Sequence, residues 1–326
     1  MSRKVGETMY QPWPYTDKKR TIQRDANFVG LILIALLVTQ LVLPMVISRL
    51  RASGVLNIEA MDNTTYLFFS MGLYITYAAL PAVVVALITR RRQNPFPTRR
   101  VSAGGYVLAL FGGMAMAVAA IHVASFVMEV LTLFGIPYPQ FPQTQSGTPT
   151  SLVLNLVSTA VLPALLEEMV MRGYVLGALR RYGDKLAVIL SAALFGLIHG
   201  NVLQLPFAFV LGLVFGWLVV QTGSIWPSVV LHFGNNAMAV LLDYVELAVG
   251  SSTAATVLTF MTLCLLGMLV FTAAFLSNKK RGEDLLRPVG NGVATLSVSE
   301  RVVTILTSPA MIVGVIAWCV MLVVWI

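Results

Sequence analysis

The side chains that could do chemistry lie between residues 167 and 236 of an otherwise apolar sequence. Glu167 and Glu168 are adjacent, and Arg172 follows Glu168 by four residues, a spacing that places the two on one face of a helix. Pro163, four residues before Glu167, removes a backbone donor and frees the carbonyl of Thr159, which predicts a kink with room for water. We therefore expect one carboxylate in an ion pair and the other available for proton transfer.

Two histidines and an asparagine follow these carboxylates. His199 ends the run F-G-L-I-H, and His232 and Asn236 are four residues apart, on one helical face. A glutamate removed from water is a competent base for activating a water molecule, and a neighbouring histidine can orient that water. A histidine and an amide on another helix can donate hydrogen bonds to the oxyanion of a tetrahedral intermediate. These residue types therefore favour hydrolysis.

A metal site is the alternative interpretation of the same residues. Glu167, His199 and His232 could hold Zn²⁺ with an open position for water. The sequence has no H-E-x-x-H motif, and asparagine is a poor zinc ligand, so a glutamate-activated water is the preferred interpretation and zinc stays open.

The composition indicates a protein embedded in lipid. The 326 residues are 57% hydrophobic and 11% charged, whereas a soluble domain carries about 25% charged residues. The net charge of +8 is distributed in short clusters between apolar runs. This distribution is typical of membrane topology and argues against a nucleic-acid partner.

The apolar runs predict an all-α, polytopic transmembrane helical bundle of about eight to nine spans, because a crossing takes about 20 helical residues. The fifth run reaches only about 22 Å, so its end and His199 are expected inside the bundle. Basic clusters after the second, fourth and eighth runs share one side with the basic N-terminus, which predicts a cytoplasmic N-terminus. Eight spans result if 186–221 is re-entrant. The candidate runs are 27–48, 65–89, 105–128, 151–177, 186–200, 203–221, 225–246, 253–276 and 302–325.

The depths of the four polar residues agree with one another. Counted from the predicted cytoplasmic ends at about 1.5 Å per residue, Glu167, His199, His232 and Asn236 lie about 10 to 21 Å deep. Because three different spans deliver polar groups to one band, we expect a single cluster inside the bundle.

The motifs E-E-x-x-x-R, F-x-x-x-H and H-x-x-x-N, in this order on successive spans, resemble the CPBP family of intramembrane proteases. This family includes the type II CAAX prenyl endopeptidases and the lysostaphin-resistance-like (Abi) proteins, and the resemblance covers roughly 150–245. It implies that Glu167 is the catalytic carboxylate and His199 its water-activating partner. It further implies that His232 and Asn236 stabilise the oxyanion while Glu168 and Arg172 shape the site. The family is often labelled metalloprotease.

The sequence thus predicts an intramembrane endopeptidase in a bacterial cell membrane, surrounded by lipid and acting on membrane-associated peptides or proteins, CAAX-like or other. Two alternatives stay open, a proton-coupled secondary transporter and a non-catalytic immunity or scaffold protein of the same fold. The predicted organisation is a cytoplasmic basic tail (1–26), N-terminal helices with a Pro-rich loop (27–149), a protease core (150–246) and C-terminal helices (247–326).

Overall fold

The computed structural model describes residues 15–90, 94–135, 148–202, 204–249, 259–264, 266–270, 273, 277 and 296–324. Over these residues the chain is a helical bundle, so the predicted all-α fold is confirmed. The helices are α1 (Tyr15–Ala52), α2 (Asn63–Ala78), α3 (Leu80–Ile88), α4 (Ala103–Leu133), α5 (Pro149–Tyr182), α6 (Asp184–Leu197), α7 (Gln204–Thr222), α8 (Trp226–Val249), α9 (Val298–Leu306) and α10 (Pro309–Val324). Residues 259–264 and 266–270 are also helical.

Among the described residues, five helical stretches are long and apolar enough to cross a membrane: α1, α2 with α3, α4, α5 and α7. A sixth results if α9 and α10, which are bent by 69° at their junction, count as one span. The chain is therefore a multi-pass membrane protein. The predicted runs 186–200 and 225–246 correspond to α6 and α8; α6 has 14 residues and is short for a full crossing. Part of run 253–276 lies outside the described residues, so the total of eight to nine spans stays a prediction.

Helix α5, which carries both glutamates, is irregular. Wider π-helical turns at Leu156–Val161 and Met169–Leu176 flank an α-helical stretch at Leu162–Glu168. Pro163 in this stretch has no N–H, so the carbonyl of Thr159 lacks its usual α-helical donor. Such π turns inside α-helices are frequent at functional sites. Both glutamates therefore lie on one short α-helical segment, with a π-helical segment before it and another after it.

A tight turn after α6 returns the chain towards α7. Gly196 lies against the start of α7, where a Cβ atom would be 2.7 Å from the Leu205 carbonyl oxygen. Gly200 has a φ of +67°, in the left-handed region that favours glycine. His199 therefore lies on a turn whose geometry depends on these two glycines.

The N-terminal and C-terminal helices pack together beside the site. The Trp318 indole of α10 donates to the Leu33 carbonyl of α1 at 2.9 Å, and the Ala310 N–H donates to Asn27 Oδ1 at 3.0 Å. Because Trp318 is almost fully buried, this contact fixes α1 against α10.

Candidate active site

Glu168 and Arg172 form the buried ion pair that their spacing predicts. Arg172 Nε lies 3.3 Å from Glu168 Oε2, and both side chains are fully buried. The guanidinium lies over the rings of Phe195, at 4.4 Å, and Phe215, at 5.0 Å. Its Nη2 donates to the Gly212 carbonyl at 3.3 Å. Two aromatic faces and one carbonyl therefore help to replace the water that this cation loses on burial.

His232 of α8 lies between the two glutamates. Its Nδ1 is 3.2 Å from Glu168 Oε1, and its Nε2 is 3.8 Å from Glu167 Oε2. The imidazole stacks on the Phe215 ring, with centroids 5.0 Å apart and planes inclined by 17°. Since an ionised carboxylate only accepts, Nδ1 is the donor to Glu168, and this contact orients Nε2 towards Glu167.

Glu167 has a different environment from its neighbour. Its side chain is 19% exposed and lines a cavity, whereas that of Glu168 is completely buried. The Tyr74 hydroxyl of α2 donates to Glu167 Oε1 at 2.5 Å. One carboxylate is thus locked in an ion pair, and the other, which accepts from Tyr74, lines a cavity that can hold water.

His199 lines the same cavity from the turn between α6 and α7. Its Nδ1 is 2.7 Å from the Phe195 carbonyl. A carbonyl oxygen only accepts, so Nδ1 carries the proton, and in the neutral imidazole Nε2 is left with a lone pair. The Phe195 ring contacts the imidazole edge-on at 4.8 Å. His199 is therefore held in the tautomer that can accept a proton from water.

The cavity has a volume of about 120 Å³, enough for a few water molecules or one reacting group. Helices from both ends of the chain enclose it, not only the segment that carries the motifs. Its lining includes Leu36 and Gln40 of α1, Tyr77 of α2, Gln204 of α7 and Trp318 of α10.

Asn236 contacts α5 at the point where Pro163 interrupts the α-helical hydrogen bonds. Its Nδ2 donates to the Thr159 carbonyl at 3.0 Å, the carbonyl that Pro163 leaves without an α-helical donor. Its Oδ1 accepts from Asn235 Nδ2 at 3.0 Å. An amide nitrogen carries two hydrogens, so the Thr159 contact uses one of them.

The described residues contain no cluster of three His, Cys, Asp or Glu side chains that could hold a metal ion. Within the predicted set, His232 directs Nδ1 to Glu168, and His199 directs Nδ1 to a backbone carbonyl. Zinc at Glu167, His199 and His232 stays a prediction.

The structure brings four of the six predicted residues into one contact network: Glu167, Glu168, Arg172 and His232. His199 joins them through the shared cavity, and Asn236 contacts the backbone of the same helix, α5. Two residues that contact the site, Tyr74 and Phe215, are not predicted from the sequence. Neither belongs to a polar motif, and each contacts the site through packing of α2 or α7.

Comparison with known proteins gives two matches, and both indicate a membrane peptidase. Residues 149–238 match the family model described as type II CAAX prenyl endopeptidase Rce1-like. A Bacillus subtilis (strain 168) protein named "Putative membrane peptidase YdiL" is 25% identical over 91 residues, which are 28% of this chain and 37% of the relative. The chain thus covers little more than a third of that relative's length. No solved structure matches the chain significantly. Residues 149–238, the segment that is similar to the Rce1-like family model, contain all six candidate site residues.

Proposed function

We propose that this protein is an intramembrane endopeptidase that hydrolyses peptide bonds with a water molecule activated by Glu167. The observation that carries the proposal is the contrast between two adjacent carboxylates. Glu168 is fully buried against Arg172, whereas Glu167 is partly exposed in a small cavity with His199. Such a division supplies one group for structure and one for proton transfer. The match to a prenyl endopeptidase family supports the same reaction class.

The reaction begins when Glu167 accepts a proton from a water molecule in the cavity, while the Nε2 lone pair of His199 orients that water. The hydroxide oxygen forms a bond with the carbonyl carbon of the scissile peptide, and the carbonyl oxygen becomes an oxyanion. Glu167 then returns the proton to the amide nitrogen as the carbon–nitrogen bond breaks, leaving a carboxylic acid and an amine. Each proton that leaves the water is therefore accounted for.

The oxyanion is stabilised from α8. When the His232 imidazole carries both protons, Nδ1 donates to Glu168, and Nε2, which lies 3.8 Å from Glu167 Oε2, donates to the oxyanion. The second amide hydrogen of Asn236 is a further donor from the same helical face. Glu168, through its contact with His232 Nδ1, holds the imidazole in position.

The substrate is a peptide that reaches the interior of the membrane, because the cavity lies among membrane-spanning helices. Lipidated, CAAX-like peptides are one class and unmodified membrane-associated peptides are another. The decisive experiment is cleavage of a peptide library by the purified protein, with Glu167→Gln as the inactive variant and Glu129→Gln as its control, since Glu129 is an exposed glutamate of α4. We expect the control to keep full activity. Absence of cleavage by folded wild-type protein would refute the proposal.

A further inference from the structure

A groove leads away from the cavity of Glu167 along helix α1. It shares Gln40 and Tyr77 with that cavity, has a volume of about 580 Å³ and runs between α1 and α2. We name it the α1–α2 groove, and its main lining residues are Gln40, Leu43, Pro44, Ile47, Leu73 and Tyr77. At its far end it shares Ser48 and Arg51 with a polar cavity at the loop between the two helices. The three cavities therefore adjoin one another along α1.

One stripe of α1 lines all three cavities. Leu36, Gln40, Leu43, Ile47 and Arg51 are spaced by three or four residues, which places them on one helical face. Leu43 and Ile47 are half-buried on this face. From Gln40 to Arg51 the helix rises about 16 Å, so this is the length of the groove along α1.

The neighbouring residues of α1 do not share this environment. Val42 is 48% exposed and Val46 is 45% exposed, and both lie on the part of α1 that a membrane-spanning helix presents to lipid. The groove is thus distinct from the outer, apolar surface of the same helix. This difference provides matched control positions.

We infer that the α1–α2 groove binds an apolar stretch of the substrate polypeptide, about five residues long, that adjoins the scissile bond. This inference rests on the proposed function. Because the groove shares Gln40 and Tyr77 with the cavity of Glu167, a chain whose peptide bond lies at Glu167 can continue directly into it. An extended chain advances about 3.3 Å per residue, so about five residues fill 16 Å.

The chemistry of the groove favours a peptide over a lipid chain. Its middle is apolar, formed by Leu43, Ile47 and Leu73, and suits apolar side chains. Its near end carries the Gln40 amide and the Tyr77 hydroxyl, groups that can hydrogen-bond a peptide backbone but would gain nothing from an acyl chain.

The far end sets the length limit. Arg51 Nη2 and Glu59 Oε1 form an exposed ion pair at 2.7 Å, and the lining becomes polar beyond Ile47. An apolar segment longer than about five residues would therefore leave the groove and gain no further burial there.

The test compares peptides that differ only in the length of the apolar segment on one side of the cleaved bond. Two, five and eight residues are used in wild-type protein, Leu43→Trp and Ile47→Trp, with Val42→Trp and Val46→Trp as controls. In wild type and controls, KM should fall at least about tenfold from two to five residues and stay level at eight. The two groove variants should abolish this dependence on length. A KM that does not depend on segment length, or groove variants that behave like the controls, would overturn the inference.

A binding measurement separates this inference from the proposed function. Glu167→Gln protein is titrated with the same peptides carrying a fluorophore, so no cleavage is required. Tighter binding of the five-residue segment that is lost with Leu43→Trp supports the groove even if wild type cleaves nothing. Leu43→Ser is a second groove variant in case the tryptophan impairs folding. Tighter binding of a peptide in which an acyl chain replaces the apolar residues would overturn the assignment to a polypeptide.

Discussion

The Tyr74 hydroxyl donates to Glu167 Oε1 at 2.5 Å, a contact that spans 93 residues of sequence. Tyr74 belongs to α2, outside the segment matched to the Rce1-like family, whereas Glu167 lies within it. The contact therefore makes the reactivity of the carboxylate depend on how α2 packs against α5. Tyr77, one turn later on α2, contacts the Tyr74 ring edge-on at 5.0 Å and lines the same cavity.

Replacing Tyr74 by phenylalanine should lower kcat by at least about tenfold with little change in KM, because a hydrogen bond to a charged group is lost without loss of apolar volume. Steady-state kinetics on a cleavable peptide measure both constants. Tyr66→Phe is the matched control, since Tyr66 is an exposed tyrosine of the same helix. Equal kcat values for Tyr74→Phe and wild type would show that the carboxylate does not need this donor.

Breaking the ion pair of Glu168 and Arg172 should destabilise the fold. Arg172→Met leaves a buried carboxylate without its cation, at a cost of about 3 to 5 kcal/mol. The double variant Glu168→Gln/Arg172→Met removes both charges and should be more stable than this single variant, since neither member is left unpaired.

Reversible unfolding in mixed micelles, monitored by tryptophan fluorescence, gives both free energies. Arg51→Met serves as a comparison, because Arg51 pairs with Glu59 at 2.7 Å and both side chains are exposed. Its cost should be about 1 kcal/mol or less. If the double variant were less stable than Arg172→Met, an unpaired buried carboxylate would not explain the lower stability of Arg172→Met.

Asn236→Ala should show two effects. The Thr159 carbonyl loses its donor, which should cost about 1 to 3 kcal/mol of stability. Loss of an oxyanion donor should lower kcat by about a hundredfold. Asn235→Ala is the control at the neighbouring position. It should have smaller effects on stability and on kcat, since the Asn235 side chain donates to Asn236 Oδ1 and leaves the Nδ2 donor of Asn236 in place. If Asn236→Ala changes stability alone, the residue positions α5 and does not contact the reacting oxygen.

Dialysis against a chelator should leave the activity intact, because no step of the proposed mechanism passes through a metal. Residual metal is measured by elemental analysis of the same sample. Activity that is lost and then restored by Zn²⁺ would instead assign Glu167, His199 and His232 as ligands. His199→Ala protein should then bind less Zn²⁺ by titration calorimetry, a result that does not depend on cleavage.

The sequence predicts several of the contacts among the candidate site residues, because these contacts follow from short spacings or similar depths. The pairing of Glu168 with Arg172 follows from the rise of a helix, and depth counting places His232 close to Glu167. Pro163 predicts a carbonyl in need of a donor, although nothing in the sequence identifies Asn236 as that donor. These residues either share a helix or lie at similar predicted depths in different spans.

Contacts between helices that are far apart in the sequence could not be predicted from spacing or depth. Tyr74 lies among other aromatic and apolar residues of α2, and no spacing relates it to Glu167. Leu43 and Ile47 follow the same three-to-four-residue period as any packed helix face, so the sequence does not distinguish a groove from a helix interface. Helix α8 illustrates a related difficulty, since its polar residues make a crossing hard to assign by hydropathy.

The assembly of the cavity has an evolutionary consequence. The groups assigned to bond cleavage lie within residues 149–238, whereas Gln40, Tyr77 and Trp318, which enclose the same cavity, come from α1, α2 and α10. If the proposed function holds, the groups for bond cleavage and the groups that select the substrate are encoded in separate stretches of one gene. Relatives can retain the catalytic segment while their outer helices diverge, and a chimaera that exchanges only those helices should acquire the substrate preference of the donor.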